Sequence, residues 1–115
     1  EPNCYTSDYE ISLNYKPTFS NAKISSVSSR KKALKTSWNK CSNVSGYQLQ
    51  YSTNKNMKFA KTINLSSSSS SKTIKNLKSK KNYYVRIRTY KIININGSNK
   101  TYYGKWSPKK SVKIK

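Results

Sequence analysis

Residues 77–90 read LKSKKNYYVRIRTY, a lysine-rich loop followed by one long predicted strand. Two sets of side chains alternate along this strand: Tyr83, Val85, Ile87 and Thr89 in one set, and Tyr84, Arg86, Arg88 and Tyr90 in the other. Strict alternation predicts a half-buried strand, because successive side chains of a strand point to opposite faces. We therefore expect the first set to lie in a core and the second to face solvent.

Short alternating runs recur along the rest of the chain, separated by clusters of Ser, Asn, Lys and Gly, and no segment shows a helical period. Further strands are predicted around Ile24 and Val27; Leu34, Thr36 and Trp38; Tyr47, Leu49 and Tyr51; residues 59–65; Ile74; and Val112 and Ile114. The serine run at residues 66–71 predicts a mobile surface loop, and Asn96-Gly97 predicts a tight hairpin. This pattern is typical of an all-β sandwich or barrel.

The charge of the chain is strongly one-sided. The formal net charge is +21, the only acidic residues are Glu1, Asp8 and Glu10, and histidine is absent. A body with cations alone attracts polyanions. The missing histidines and carboxylates remove the usual general bases and metal ligands, so we expect no enzyme activity, no metal site and no cofactor.

The two cysteines, Cys4 and Cys41, predict one disulfide, which would contribute about 3–4 kcal/mol in the chain-entropy model. A disulfide indicates a secreted or cell-surface protein, whereas two unpaired cysteines in a cytosolic protein remain the alternative. No signal peptide or transmembrane segment is visible, as expected for a mature exported chain or for a fragment of a longer one.

Residues 1–18 are interpreted as an N-terminal arm or linker that precedes the domain. They hold all the acidic residues, and an alternating run within them, Tyr9, Ile11, Leu13 and Tyr15, is compatible with one extra strand. Both interpretations of the arm, a strand or a linker, stay open.

Several spaced residues resemble the fibronectin type III domain. They are Trp38, then Gly46-Tyr47-x-Leu49-x-Tyr51, then Leu77 six residues before Tyr83-x-Val85-x-Ile87; the segments YYVRIRTY and YYGKWS are similar to versions from bacterial surface and secreted proteins. The resemblance implies an immunoglobulin-like, two-sheet sandwich of seven strands over residues 19–115. Its implied structural core is Trp38, Tyr47, Leu49, Tyr51, Leu77, Tyr83, Val85 and Ile87, with the Tyr83 hydroxyl bonded to the backbone of the preceding loop.

One face of the predicted sheet is a candidate binding face. It contains Tyr84, Arg86, Arg88, Tyr90, Trp106, Gln48 and Gln50, a combination of aromatic, cationic and amide groups that suits phosphate or carboxylate. In the alternative interpretation Arg86 and Arg88 stack on Trp106 as an internal ladder, which resembles the tryptophan–arginine arrangement of cytokine-receptor modules.

Three basic clusters fall in predicted turns or at strand starts: residues 30–32, 78–81 and 109–110. The predicted partner is therefore an anionic polymer or glycan, or a protein; specific nucleic-acid recognition is not expected, because no helix, zinc finger or RNA-binding motif is present. These features favour a non-catalytic extracellular module for binding, adhesion or spacing. The alternative is a small secreted cationic effector, such as a toxin, inhibitor or immunity-type protein, that uses the same scaffold.

Overall fold

A computed structural model describes the backbone of residues 4–8, 18–41 and 43–115, and the side chains of residues 21–41 and 43–115. These ranges contain ten strands and no helix: β1 (Cys4–Asp8), β2 (Thr18–Ala22), β3 (Ile24–Arg30), β4 (Ala33–Trp38), β5 (Gly46–Ser52), β6 (Lys61–Ser66), β7 (Ser71–Ile74), β8 (Asn82–Ile95), β9 (Ser98–Tyr103) and β10 (Lys110–Lys113). None of the described segments forms a helix long and apolar enough to cross a membrane.

The strands form two facing antiparallel sheets and one separate pair. The smaller sheet has the order β3-β4-β7, and the larger has the order β10-β8-β5-β6. The long strand β8 pairs with β10 through residues 82–85 and with β9 through residues 90–95. The prediction of an all-β two-sheet sandwich is therefore confirmed. The described residues contain more than the seven expected strands, since β1 and β2 form an additional pair and the last expected strand is divided into β9 and β10.

The core lies between the two sheets and joins the inner faces of both. Trp38 on β4 is only 2% exposed, and its ring lies 5.6 Å from the ring of Tyr47 on β5, measured between centroids. Seven of the residues expected in the core are buried: Trp38, Tyr47, Leu49, Leu77, Tyr83, Val85 and Ile87. Tyr51 departs from that expectation, because it packs on the edge of the core at the end of β5 and stays half-buried.

The side chains of β8 lie on the faces that the alternation in residues 83–90 predicts. Val85, Ile87 and Thr89 are fully buried, whereas Arg86 and Arg88 are partly exposed on the opposite face. At the start of this strand the Lys78 amide donates a hydrogen bond to the Tyr83 hydroxyl at 3.0 Å. This bond ties the β7–β8 loop to the edge of the core.

Both ends of the serine run lie in strands. Ser66 ends β6 and Ser71 begins β7, so only residues 67–70 connect the two strands. The Trp38 amide donates to the Ser70 carbonyl at 2.9 Å, and the Trp38 indole donates to the Ser69 carbonyl at 3.0 Å. Residues 67–70 form a surface loop, as expected, and this loop supplies the hydrogen-bond acceptors for the central tryptophan.

The N-terminal arm contributes one strand to the described part of the chain. Cys4–Asp8 pairs antiparallel with Thr18–Ala22, while Tyr9, Ile11, Leu13 and Tyr15 lie outside the described residues. Cys4 is the register partner of Ala22, and the neighbouring Asn21 carbonyl oxygen lies 3.7 Å from Cys41 Sγ. The Cys4 side chain is not described, so the disulfide with Cys41 stays a prediction that the backbone register supports.

We expect mass spectrometry of the unreduced protein, treated with an alkylating reagent under denaturing conditions, to show no modified cysteine. Reduction before alkylation should then give two modified cysteines. Cys41→Ser should lower the free energy of unfolding by about 3–4 kcal/mol, because it releases the closed loop in the unfolded chain. Two modified cysteines without prior reduction would contradict the disulfide.

Candidate binding surfaces

The outer face of the larger sheet contains two rows of polar side chains that cross the strands. In the β5–β8 register, Gln50 lies opposite Arg86 and Gln48 lies opposite Arg88. Arg86 donates to the Gln50 Oε1 from Nε at 2.9 Å and from Nη2 at 2.8 Å, and Arg88 Nε donates to the Gln48 Oε1 at 2.8 Å. Each glutamine thus presents its acceptor to a side chain that can only donate.

The rows continue to the edge strand β6. Gln50 Nε2 donates to the Thr62 Oγ1 at 3.0 Å, and Gln48 Nε2 donates to the Asn64 Oδ1 at 3.0 Å. Both glutamines therefore use their oxygen toward β8 and their nitrogen toward β6. Side chains on the two strands that flank β5 therefore fix the orientation of the carboxamides of Gln48 and Gln50.

Aromatic rings cover the guanidinium groups. The Cζ atoms of Arg86 and Arg88 each lie 4.3 Å from the centroid of the Trp106 ring, and Arg88 Cζ lies 3.9 Å from the centroid of the Tyr103 ring. Such contacts stabilise by about 0.5–1 kcal/mol each at exposed sites. The geometry is therefore that of the internal ladder, with Tyr103 as an additional member that sequence reasoning missed.

Trp106 reaches this position because the chain between β9 and β10 leaves the regular strand pairing with β8. Ser107 replaces it with two bonds to β8: its amide donates to the Ile87 carbonyl at 2.8 Å, and its Oγ accepts from the Ile87 amide at 3.0 Å. Buried Asn21 accepts from the Lys105 amide at 2.8 Å. A Cβ at Gly104 would collide with Asn21 Oδ1 and Thr89 Oγ1, so only glycine fits there.

The ladder changes the electrostatics of its two arginines. Partial burial lowers the pKa of Arg86, and burial also lowers the pKa of Arg88, with Tyr103 acting in the opposite direction and Arg86 adding to the decrease. Guanidinium groups nevertheless stay charged at neutral pH. Tyr84 and Tyr90 flank the arginines on the same face and are half-buried. Both guanidinium groups of this predicted binding surface thus stack on aromatic rings, and three of their N–H donors are engaged within the molecule.

A second surface forms where the predicted lysine clusters meet. We define the lysine-rich end as the β3–β4 turn (31–32), the β5–β6 loop (53–60), the β7–β8 loop (75–81) and residues 114–115. The Leu77 amide donates to the Lys32 carbonyl at 2.9 Å, the Lys80 amide to the Ile114 carbonyl at 2.7 Å, and Lys109 Nζ to the Lys55 carbonyl at 2.7 Å. These bonds bring the clusters 30–32 and 78–81 to one end of the sandwich, and the Lys109 side chain reaches the same end from the start of β10.

A cleft of about 530 Å³ opens at this end, between the β5–β6 loop and the β7–β8 loop. Five lysines line it: Lys58, Lys61, Lys75, Lys78 and Lys81. Phe59 stands at the same cleft with 97% of its side chain exposed. Phe59 was expected in a strand, but β6 begins two residues later and Phe59 has a left-handed backbone with φ of 55°.

The lysines of this end have no acidic partner in the sandwich, because the sequence holds no Asp or Glu after Glu10. Their fields therefore add rather than cancel. At physiological salt the combined potential extends about 8 Å into solvent. This end is suited to attract an anion.

The two facing sheets, the buried Trp38 and the Tyr83 hydroxyl bond define an immunoglobulin-like β-sandwich domain. The family model described as "Fibronectin type III domain" matches residues 15–109, and the chain belongs to this family. The chain is also similar to a solved structure titled "Myokine structure", with 18% identity, a TM-score of 0.55, and coverage of 79% of this chain and 94% of that one. At this identity the likeness shows the fold alone. No curated protein matches the sequence.

Replacing both Arg86 and Arg88 with lysine separates the stabilising effect of the ladder contacts from the effect of the positive charges. We expect this double variant to lower the free energy of unfolding by about 1–3 kcal/mol, because lysine keeps the charge but loses the planar face and the forked donors. Chemical denaturation measures the loss. Lys35→Arg, a charge-preserving change outside the ladder, serves as the control. An unchanged stability of the double variant would contradict a stabilising ladder.

Proposed function

We propose that this domain is a non-catalytic module, secreted or displayed on a cell surface, that attaches to anionic polymers through its lysine-rich end. Fibronectin type III domains are commonly binding or spacer modules, typically without catalysis and frequently extracellular. The observation that carries the proposal is the convergence of the lysine clusters 30–32 and 78–81 at one end of the sandwich, which the Lys109 side chain also reaches. In this proposal residues 19–115 are the binding module, and residues 1–18 are an arm.

The physical basis is counterion release. A polyanion carries condensed cations, and lysines that replace them on binding return those ions to solution, which favours association at low salt. Exposed loop lysines suit this role because they adjust to a partner without fixed geometry. Arg86 and Arg88 suit it less, because leaving the ladder would cost their contacts with Trp106, Gln48 and Gln50.

Extracellular placement is supported by the predicted Cys4–Cys41 disulfide, since disulfides persist in oxidising compartments. Because YYVRIRTY and YYGKWS resemble segments of bacterial surface and secreted proteins, we extend the proposal to a bacterial surface or secreted protein. In such a setting, acidic wall polymers and glycans are the polyanions that the domain would meet.

We expect a triple variant, with Lys31, Lys78 and Lys81 changed to glutamine, to bind linear polyphosphate roughly 10- to 100-fold more weakly than the unchanged protein at physiological salt. The matched control changes Lys40, Lys72 and Lys100 to glutamine, which removes the same charge from other parts of the fold. Isothermal titration or fluorescence anisotropy gives the dissociation constants. The control should lose much less affinity, because its lysines lie away from the lysine-rich end.

Equal losses in the two triple variants would show that net charge alone drives binding and would contradict a located surface. The unchanged protein should also lose affinity for duplex DNA several-hundred-fold when salt rises fourfold, if about five phosphates are contacted. An affinity that does not change with salt would contradict the electrostatic mechanism itself.

A further inference from the structure

The cleft at the lysine-rich end is held open by short loops with defined hydrogen bonds. Ser52 Oγ donates to the Lys58 carbonyl at 2.7 Å and accepts from the Asn54 amide at 3.0 Å. The Met57 amide donates to the Asn54 carbonyl at 2.9 Å, and buried Met57 anchors the loop. The opposite wall is fixed by the bond from the Lys78 amide to the Tyr83 hydroxyl. The cleft is therefore a built feature rather than a gap between loose segments.

The backbone at this end adopts conformations that its residue types disfavour. Among the described residues with positive φ, four that are neither glycine nor asparagine lie here: Lys32, Met57, Phe59 and Lys80. The other described non-glycine residues with positive φ are Asn43, Asn76 and Asn96, and asparagine tolerates this conformation. Strained backbone held in place by its surroundings concentrates at functional sites, so the cluster independently marks this end.

The lining of the cleft combines three kinds of group. Lysines surround it, neutral hydrogen-bonding residues are Thr53, Asn54 and Asn76, and aromatic residues with exposed surface are Phe59 and half-buried Tyr51. Its volume of about 530 Å³ lies in the range of sites for small ligands or single units of a polymer. A partner that uses all three kinds of group must be anionic, rich in hydroxyls and partly apolar.

We propose that this cleft binds an acidic sugar unit of an anionic polysaccharide, with the exposed Phe59 ring as the platform for one face of the sugar. The C–H groups on that face would cover a phenyl ring that is otherwise 97% exposed. The surrounding lysines would hold the carboxylate or sulfate, and the neutral side chains would meet the hydroxyls. This inference rests on the proposed function and names the class of polymer.

Other polyanions use less of the cleft. Linear polyphosphate has charge but no apolar face, so it leaves the Phe59 ring uncovered. Single-stranded nucleic acid stacks successive bases on successive aromatic rings along a groove, whereas here Phe59 is the ring with a nearly full exposed face among the described cleft residues. An acidic sugar matches the single exposed ring, the neutral donors and acceptors, and the lysines together.

The test compares Phe59→Ala with a matched control, Ile92→Ala, which removes another exposed apolar side chain from β8 at the far side of the fold. A third variant, Phe59→Tyr, keeps the aromatic platform. Binding of each protein to polygalacturonate, to linear polyphosphate and to oligothymidylate is measured at one salt concentration. Thermal unfolding of each variant verifies that the fold is intact, as expected for changes at exposed side chains.

We expect Phe59→Ala to weaken polygalacturonate binding about tenfold, the loss typical of one aromatic stacking contact, while polyphosphate binding stays unchanged. Phe59→Tyr should restore most of the polygalacturonate affinity, and Ile92→Ala should change neither. Unchanged polygalacturonate binding by Phe59→Ala would overturn the acidic-sugar site while leaving the electrostatic module intact. A loss confined to oligothymidylate would overturn it in favour of base stacking. If the unchanged protein bound none of the three polymers, the proposed function would fail as well.

Discussion

The antiparallel pairing of β5 with β8 determines both faces of the larger sheet. On the inner face it sets Leu49 opposite Ile87 in the core, and on the outer face it sets Gln50 opposite Arg86 in the ladder. A slip of one residue in either strand would turn its apolar set outward and bury polar or charged groups instead. The core and the ladder therefore depend on the same register. A shift of register that disrupts the core also disrupts the ladder.

The second constraint is the repulsion among the cations of a chain with a net charge of +21. The fold handles arginine and lysine differently. Arg86 and Arg88 lie among neutral acceptors and aromatic rings, which stabilise a charge without requiring an acid. The lysines remain in solvated loops, where water screens them. A polyanion at the lysine-rich end would relieve this repulsion, so binding and stability should be linked.

The sequence predicts the parts of this molecule that depend on local patterns. Alternation in residues 83–90 is sufficient to sort the side chains of β8 into core and surface, and the spacing of Trp38 and Tyr83 indicates the sandwich. The glutamine–arginine rows also follow once β5 and β8 are paired. These features need only period-two geometry and neighbouring strands.

The parts that the sequence does not predict depend on contacts between distant segments. The segment that follows β9 is held by buried Asn21, which accepts a hydrogen bond from the Lys105 amide across 84 residues. The lysine-rich end arises from loops that are separate in sequence and are brought together through Lys32, Leu77 and Ile114. Phe59 was assigned to a strand because it is apolar, but hydrogen bonds in its loop place it in a left-handed conformation with an exposed ring.

We propose that the lysine-rich end, rather than the ladder of Arg86 and Arg88, is the surface that binds a polyanion. Titration of isotope-labelled protein with short oligogalacturonates, followed by amide and indole NMR shifts, locates that surface directly. We expect the largest shifts in residues 31–32, 53–60 and 75–81, with little change at Arg86, Arg88 and the Trp106 indole. Dominant shifts along residues 84–90 and at Trp106 would contradict it, because they would place the partner on the ladder.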